Sequence, residues 1–146
     1  MNAPTVLNGQ TLDLIADQLC QEGYVILRSC FSDTLLEKLQ HHVKALPLEK
    51  WHQAGIGRYQ NHQQDLRIRS DQTHWINREN LIESEFLDVI ETLRMGLNQR
   101  LFMGLFDYEG HFSTYTKGAF YQKHTDSLKG QKNRILSQVL YLNPGW

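Results

Sequence analysis

Residues 108–126 read YEGHFSTYTKGAFYQKHTD, and how they fold sets the class of the chain. From Tyr108 to Tyr115 the pattern has a period of two. Glu109, His111, Ser113 and Tyr115 fall on one side and Phe112 and Thr114 on the other, which predicts a strand. After a turn at Gly118, Gly118–Asp126 resumes an extended pattern. Further on, Arg134–Asn143 (RILSQVLYLN) is the clearest strand pattern, closed by the turn residues Asn143, Pro144 and Gly145.

Upstream the period changes to that of helices. Leu12, Ile15, Ala16 and Leu19 recur at helical spacing and Gly23 is a natural stop. Tyr24–Leu27 (YVIL) is a short β-favouring run. Ser32 or Asp33 can cap a second helix carrying Leu35, Leu36, Leu39 and Val43, which ends before Pro47. Glu49–Gln64 has no clear period and reads as a loop, while Leu66–Trp75 is short and mixed. From Ser84 a long helix is expected, with Phe86, Leu87, Ile90, Leu93, Leu97 and Leu101 along one face. Helices first and strands second make an α+β fold rather than alternating βαβ units.

The 146 residues are the length of one domain, and 40% hydrophobic with 10% aromatic residues can supply a core. A formal charge of −1 excludes a generally basic nucleic-acid binder. Lys117, Lys123, Lys129, Lys132 and Arg134 form a local basic cluster, but no aromatic-basic stacking series accompanies it, which argues against a nucleic-acid partner. No secretory signal is evident in Met1–Gly9 and no stretch has the length of a membrane span. Cys20 and Cys30 lack metal-ligand spacing and read as reduced thiols, so the expected location is cytoplasmic and the expected partners include no membrane.

The sharpest chemical signal is Lys123-His124-Thr125-Asp126. On an extended segment residues two apart share a face, so an imidazole and a carboxylate can reach one metal ion from a single strand. Such a pair with one remote histidine forms the facial triad of non-haem Fe(II) oxygenases, which leaves positions open for substrate and oxygen. His-x-Asp alone is a weak signal, and its bland alternative is a surface histidine beside a solvated aspartate. His41 and His42 read as a solvated pair on the second helix.

The stretch from His111 to Trp146 closely resembles the Fe(II)- and 2-oxoglutarate-dependent prolyl hydroxylase-like oxygenases, above all bacterial relatives of the oxygen-sensing prolyl hydroxylases. The resemblance extends through AGIGRYQNHQ (Ala54–Gln63), IRSDQTHWI (Ile68–Ile76) and LNQRLFMGLFDYEGHF (Leu97–Phe112), and so covers most of the chain from about Gly23. It implies helices packed on a jelly-roll core. His124 and Asp126 would be iron ligands, and Tyr115 and Tyr141 would bind 2-oxoglutarate, a phenol both donating to an anion and walling an apolar pocket. Tyr121 would lie near substrate and iron, and Arg134 at the substrate-side entrance. Asp71 and Trp75 would line the substrate-facing rim, and His62 would belong to a substrate-side segment.

The implied reaction hydroxylates a protein residue, by resemblance a prolyl, while 2-oxoglutarate is decarboxylated to succinate; Fe(II), O2 and ascorbate as reductant would take part. The family pattern continues past Trp146 with further strands, a distal iron-binding histidine and a basic partner for the cosubstrate. The expectation is therefore a single oxygenase domain over residues 1–146 lacking the C-terminal part of the jelly roll, with little turnover by itself. The spacing of His111 does not match that distal ligand. The alternative is a truncated, non-catalytic chain with a structural or interaction role.

Overall fold

In the computed structural model, the residues described are 7–55, 65–126 and 134–145. They group into two compact units whose segments interleave along the chain.

One unit is helical. Its helices are α1 (Gly9–Glu22), α2 (Asp33–Ala45) and α3 (Leu81–Leu101). Asn8 caps α1, accepting a hydrogen bond from the Thr11 amide at 2.9 Å. Gly23 ends the helix in the left-handed conformation (φ 77°), where its amide reaches the Leu19 carbonyl. Ser32 is the residue that caps α2, its hydroxyl accepting from the Leu35 amide at 3.2 Å. α3 begins at Leu81, three residues before the expected Ser84, because Asn80 accepts from the amides of Ile82 and Glu83. Leu12, Ile15 and Ala16 of α1, Leu35 and Leu39 of α2, and Phe86, Ile90 and Leu97 of α3 are buried, with Phe31 stacked on Phe86 at 5.8 Å between centroids. Each large apolar side chain so buried stabilises the fold by about 1.5–3 kcal/mol.

α1 approaches α3 at a glycine. A Cβ added to Gly96 would meet the Leu12 methyls at 2.6 and 2.8 Å, and Leu12 is itself buried. Alanine here gains about 1 kcal/mol of helix propensity against that clash, whereas Gly96→Val adds more bulk for only a few tenths of a kcal/mol of propensity. Gly96→Val is expected to destabilise the protein by about 1–3 kcal/mol, measured as a lowered urea midpoint.

The expected solvated pair His41 and His42 divides. His41 is exposed, but the His42 Nε2 lies 2.8 Å from Glu83 Oε2. Glu83 is 2% exposed and its other oxygen accepts from the Asn77 amide at 3.1 Å. A carboxylate in the first turn of α3 is favoured by the helix dipole, which helps explain why a buried acid sits there. Cys20 is exposed and Cys30 half-buried, both as free thiols, and burial pushes the Cys30 thiol up.

The other unit holds a short 3-10 turn (Leu48–Lys50) and an antiparallel sheet of β1 (His52–Gln53), β2 (Gln72–Trp75) and β3 (His111–Thr114), in that spatial order. β3 follows the expected alternation, with Phe112 buried and His111 and Ser113 exposed. Thr73 pairs with Ser113 and Trp75 with His111, so Thr73, Trp75, His111 and Ser113 share one face. The other face carries His74 stacked on Phe112 at 6.2 Å, with Trp51 edge-on to His74. β1 and β2 fall in segments read from sequence as loop and mixed.

Two strand expectations are corrected. Tyr24–Leu27 belongs to no ladder, and neither does Arg134–Asn143, among the described residues. Both have β-favouring side chains, but a strand is completed by hydrogen bonds to a neighbour, not by propensity. Within Gly118–Asp126 only the middle is paired. Tyr121 bridges Arg69, flanked by hydrogen bonds from the Ser70 amide to the Phe120 carbonyl and from the Gln122 amide to the Ile68 carbonyl. The fold is α+β with a three-stranded sheet among the described residues, short of the jelly roll expected.

Candidate active site

The sheet unit carries most of the residues marked out in the sequence. The ladder between 68–70 and 120–122 brings Arg69 beneath Tyr121, the guanidinium carbon 4.0 Å from the ring centroid. The opposite face of Tyr121 stacks on His124, with centroids 3.7 Å apart and planes 17° from parallel. Arg69 is fixed from behind. Its Nε and Nη2 donate to the two carboxylate oxygens of Asp71 at 2.8 and 2.6 Å, and its Nη1 donates to the Gly55 carbonyl at 3.1 Å. This fork-to-fork geometry is the strongest form of such a pair, and both residues are buried, Asp71 completely.

Asp71 is therefore not on a substrate-facing rim as expected; it is the internal anchor of Arg69. Trp75 is exposed on the sheet face, its ring edge-on to His111 at 5.1 Å. Tyr115 is half-exposed, and burial, together with the charge of Asp71, pushes its phenol up.

His124 and Asp126 come together although they lie on no strand. The bends at Lys123 and Asp126 follow the paired segment, and the His124 Nε2 stands 3.3 Å from Asp126 Oδ1. The His124 Nδ1 lies 2.8 Å from the Gln122 carbonyl. A carbonyl only accepts, so Nδ1 carries the proton that it donates there, leaving Nε2 with a lone pair aimed at the carboxylate in the neutral ring. Two acceptors face each other at that distance only with a proton or a cation between them. Two donors each about 2.1 Å from one octahedral ion, at right angles, stand about 3.0 Å apart. The separation and donor types suit a divalent metal, and a proton on Nε2 would make the same contact a simple ion pair.

Asp126 has two further partners. Ser137 donates from Oγ to Oδ2, and Arg134 Nη1 lies 3.4 Å from Oδ1. The Ser137 hydrogen bond, assisted by the Arg134 charge, holds the Asp126 carboxyl below the usual carboxylate value. Among the described residues no group of three His, Cys, Asp or Glu side chains converges on one point, and His111 joins no such group.

The structure thus brings together Tyr121, His124, Asp126 and Arg134, with Tyr115 beside the Asp71–Arg69 pair. Tyr141 belongs to the helical unit and is 57% exposed. His62, Lys129 and Lys132 lie outside the described residues, as does most of Ala54–Gln63. Sequence reading left Arg69 and Ser137 without a role. Arg69 was legible only as a charge two residues from Asp71 on an extended segment, and Ser137 as the small polar residue in an alternate series of large side chains, Ile135, Val139 and Tyr141.

Three helices and a three-stranded antiparallel sheet among the described residues are consistent with a prolyl-hydroxylase-like fold. A solved structure of a prolyl-4-hydroxylase from Pseudomonas putida matches with a TM-score of 0.81 and 32% identity, over 92% of this chain and 68% of that one. This chain belongs to the prolyl-4-hydroxylase family. No protein-family model matches it, and no curated protein does. Among the described residues no helix is long and apolar enough to cross a membrane.

Proposed function

We propose that the chain is an Fe(II)- and 2-oxoglutarate-dependent oxygenase that hydroxylates a protein residue, a prolyl by analogy with the enzyme it is similar to. The reading treats residues 1–146 as one cytoplasmic oxygenase domain on a partial jelly roll. The observation that carries it is the His124–Asp126 pair, with Nε2 and Oδ1 3.3 Å apart and Nδ1 tied to a backbone carbonyl.

In this reading His124 and Asp126 hold the ferrous ion, which when bound supplies the oxidising chemistry with O2 and the cosubstrate. The chain's own residues bind and orient. Tyr121, clamped between Arg69 and His124, fixes the imidazole plane and walls the site on that side. Tyr115 and Tyr141 are assigned to 2-oxoglutarate, the Tyr115 phenol keeping its proton and so donating to an anion. Arg134, exposed beside Asp126, faces the incoming protein substrate. Ascorbate serves as the external reductant.

The test is succinate formation from 2-oxoglutarate with Fe(II), ascorbate and a proline-containing peptide. Turnover that requires iron and disappears in His124→Ala supports the reading, and turnover that persists in His124→Ala contradicts it. A second reading, a non-catalytic chain with an interaction role, is favoured by one observation: among the described residues no third ligand joins the pair. Metal binding without succinate formation, also in a chain extended through the expected distal histidine, selects that reading.

A further inference from the structure

We infer that Ser137 is a positioning residue for the metal ligand Asp126, holding one carboxylate oxygen so that the other alone faces His124. The inference rests on the reading that His124 and Asp126 share a metal ion, and goes beyond it to a residue to which neither the spacing nor the resemblance gave a role.

The argument begins with the freedom of a carboxylate. The terminal torsion of aspartate is broad and roughly two-fold, and each oxygen carries two acceptor sites. A half-exposed Asp126 with no outer partner would present either oxygen, or both, and lose orientational entropy on binding an ion. Ser137 removes that choice. Its hydroxyl, eleven residues downstream, donates to Oδ2, while Oδ1 is left 3.3 Å from His124 Nε2. The Asp126 carboxylate is thereby set to bind through one atom, which leaves more of the ion's coordination sphere for other groups.

Arg134 does not perform this task. Its Nη1 is 3.4 Å from Oδ1, the oxygen that faces His124, and its side chain is 54% exposed, so it supplies a screened charge rather than a fixed direction. His124 is oriented separately, by the Gln122 carbonyl and by the Tyr121 ring. Each ligand thus has its own outer partner, and for Asp126 that partner is Ser137. The residue is a polar interruption in a run whose alternate positions are Ile135, Val139 and Tyr141; a β-favouring pattern alone gives no reason for a hydroxyl there.

The experiment compares the wild-type chain with Ser137→Ala and Ser137→Thr by titrating Mn(II) under electron paramagnetic resonance. Ser137→Ala is expected to weaken Mn(II) binding on the order of tenfold and to alter the zero-field splitting of the bound ion. Ser137→Thr, which keeps the hydroxyl, is expected to stay within about twofold of wild type with its spectrum. Ser137 is exposed, so thermal midpoints should coincide, separating this effect from damage to the fold. A Ser137→Ala protein that binds as wild type does, or a threonine variant as weak as the alanine one, overturns the inference and leaves the metal reading standing. A wild-type chain that binds no Mn(II) removes both.

Discussion

Replacing Asp71 with alanine is expected to destabilise the protein by about 3–5 kcal/mol, because it strands the buried guanidinium of Arg69. Asp71 is 0% exposed and meets Arg69 through two hydrogen bonds of 2.8 and 2.6 Å. Without the carboxylate, Arg69 keeps among the described residues the Gly55 carbonyl and the face of Tyr121, too little to offset its desolvation. For a chain of this size the loss corresponds to a drop in thermal midpoint on the order of 10 °C, readable by circular dichroism. Removing both charges is a different matter. A buried ion pair replaced by apolar residues of similar volume is often neutral, so Arg69→Met with Asp71→Leu should recover much of the midpoint. It should not recover the site, since the support beneath Tyr121 is gone. An Asp71→Ala midpoint within about 2 °C of wild type would show that the pair is not an anchor.

The second large effect falls on the proposed metal ligands. His124→Ala and Asp126→Ala are each expected to weaken divalent-metal binding by more than the roughly 10–100-fold typical of losing an outer partner, because a direct donor is removed. Neither should disturb the fold. The two side chains are 37% and 38% exposed, and each variant removes a surface polar group without leaving a buried one unpaired. Isothermal titration with Mn(II) reads the affinity, and a variant that keeps wild-type affinity would remove that residue from the site. Arg134→Ala offers a contrast, because it takes a positive charge from Asp126 Oδ1; its metal affinity should hold or rise slightly.

The helices were legible in the sequence because each carries both a 3.6-residue apolar period and a chemical end signal. Gly23 and Ser32 act as their residue types suggest. α3 was read three residues short, since Leu81 is 87% exposed and breaks the face pattern that starts at Glu83 and Phe86; Asn80 was the better signal. The sheet was legible at β3 and not at β2. Residues 72–75, QTHW, hold a single apolar side chain, and the strand exists because β3 lies alongside it. Tyr24–Leu27 and Arg134–Asn143 show the converse, strand-like side chains without a ladder among the described residues. Propensity describes how a residue suits a pleated surface, and pairing decides whether that surface forms.

Spacing marked out His124 and Asp126, and the structure brings their side chains within 3.3 Å of each other. They converge through a bend after the short pairing of 120–122 with 68–70, not along one strand. Asp71 was noticed and misplaced, because a carboxylate in sequence carries no mark of burial. Arg69 and Ser137 touch Tyr121 and Asp126 through contacts that only the three-dimensional fold creates.

Electron spin-echo spectroscopy of Mn(II) bound to the wild-type chain and to His124→Ala tests the account most directly, since it reads nitrogen next to the ion. A histidine-nitrogen modulation present in wild type and lost in His124→Ala is the predicted result. The same modulation surviving in His124→Ala would place the metal on another histidine and contradict the assignment of the site.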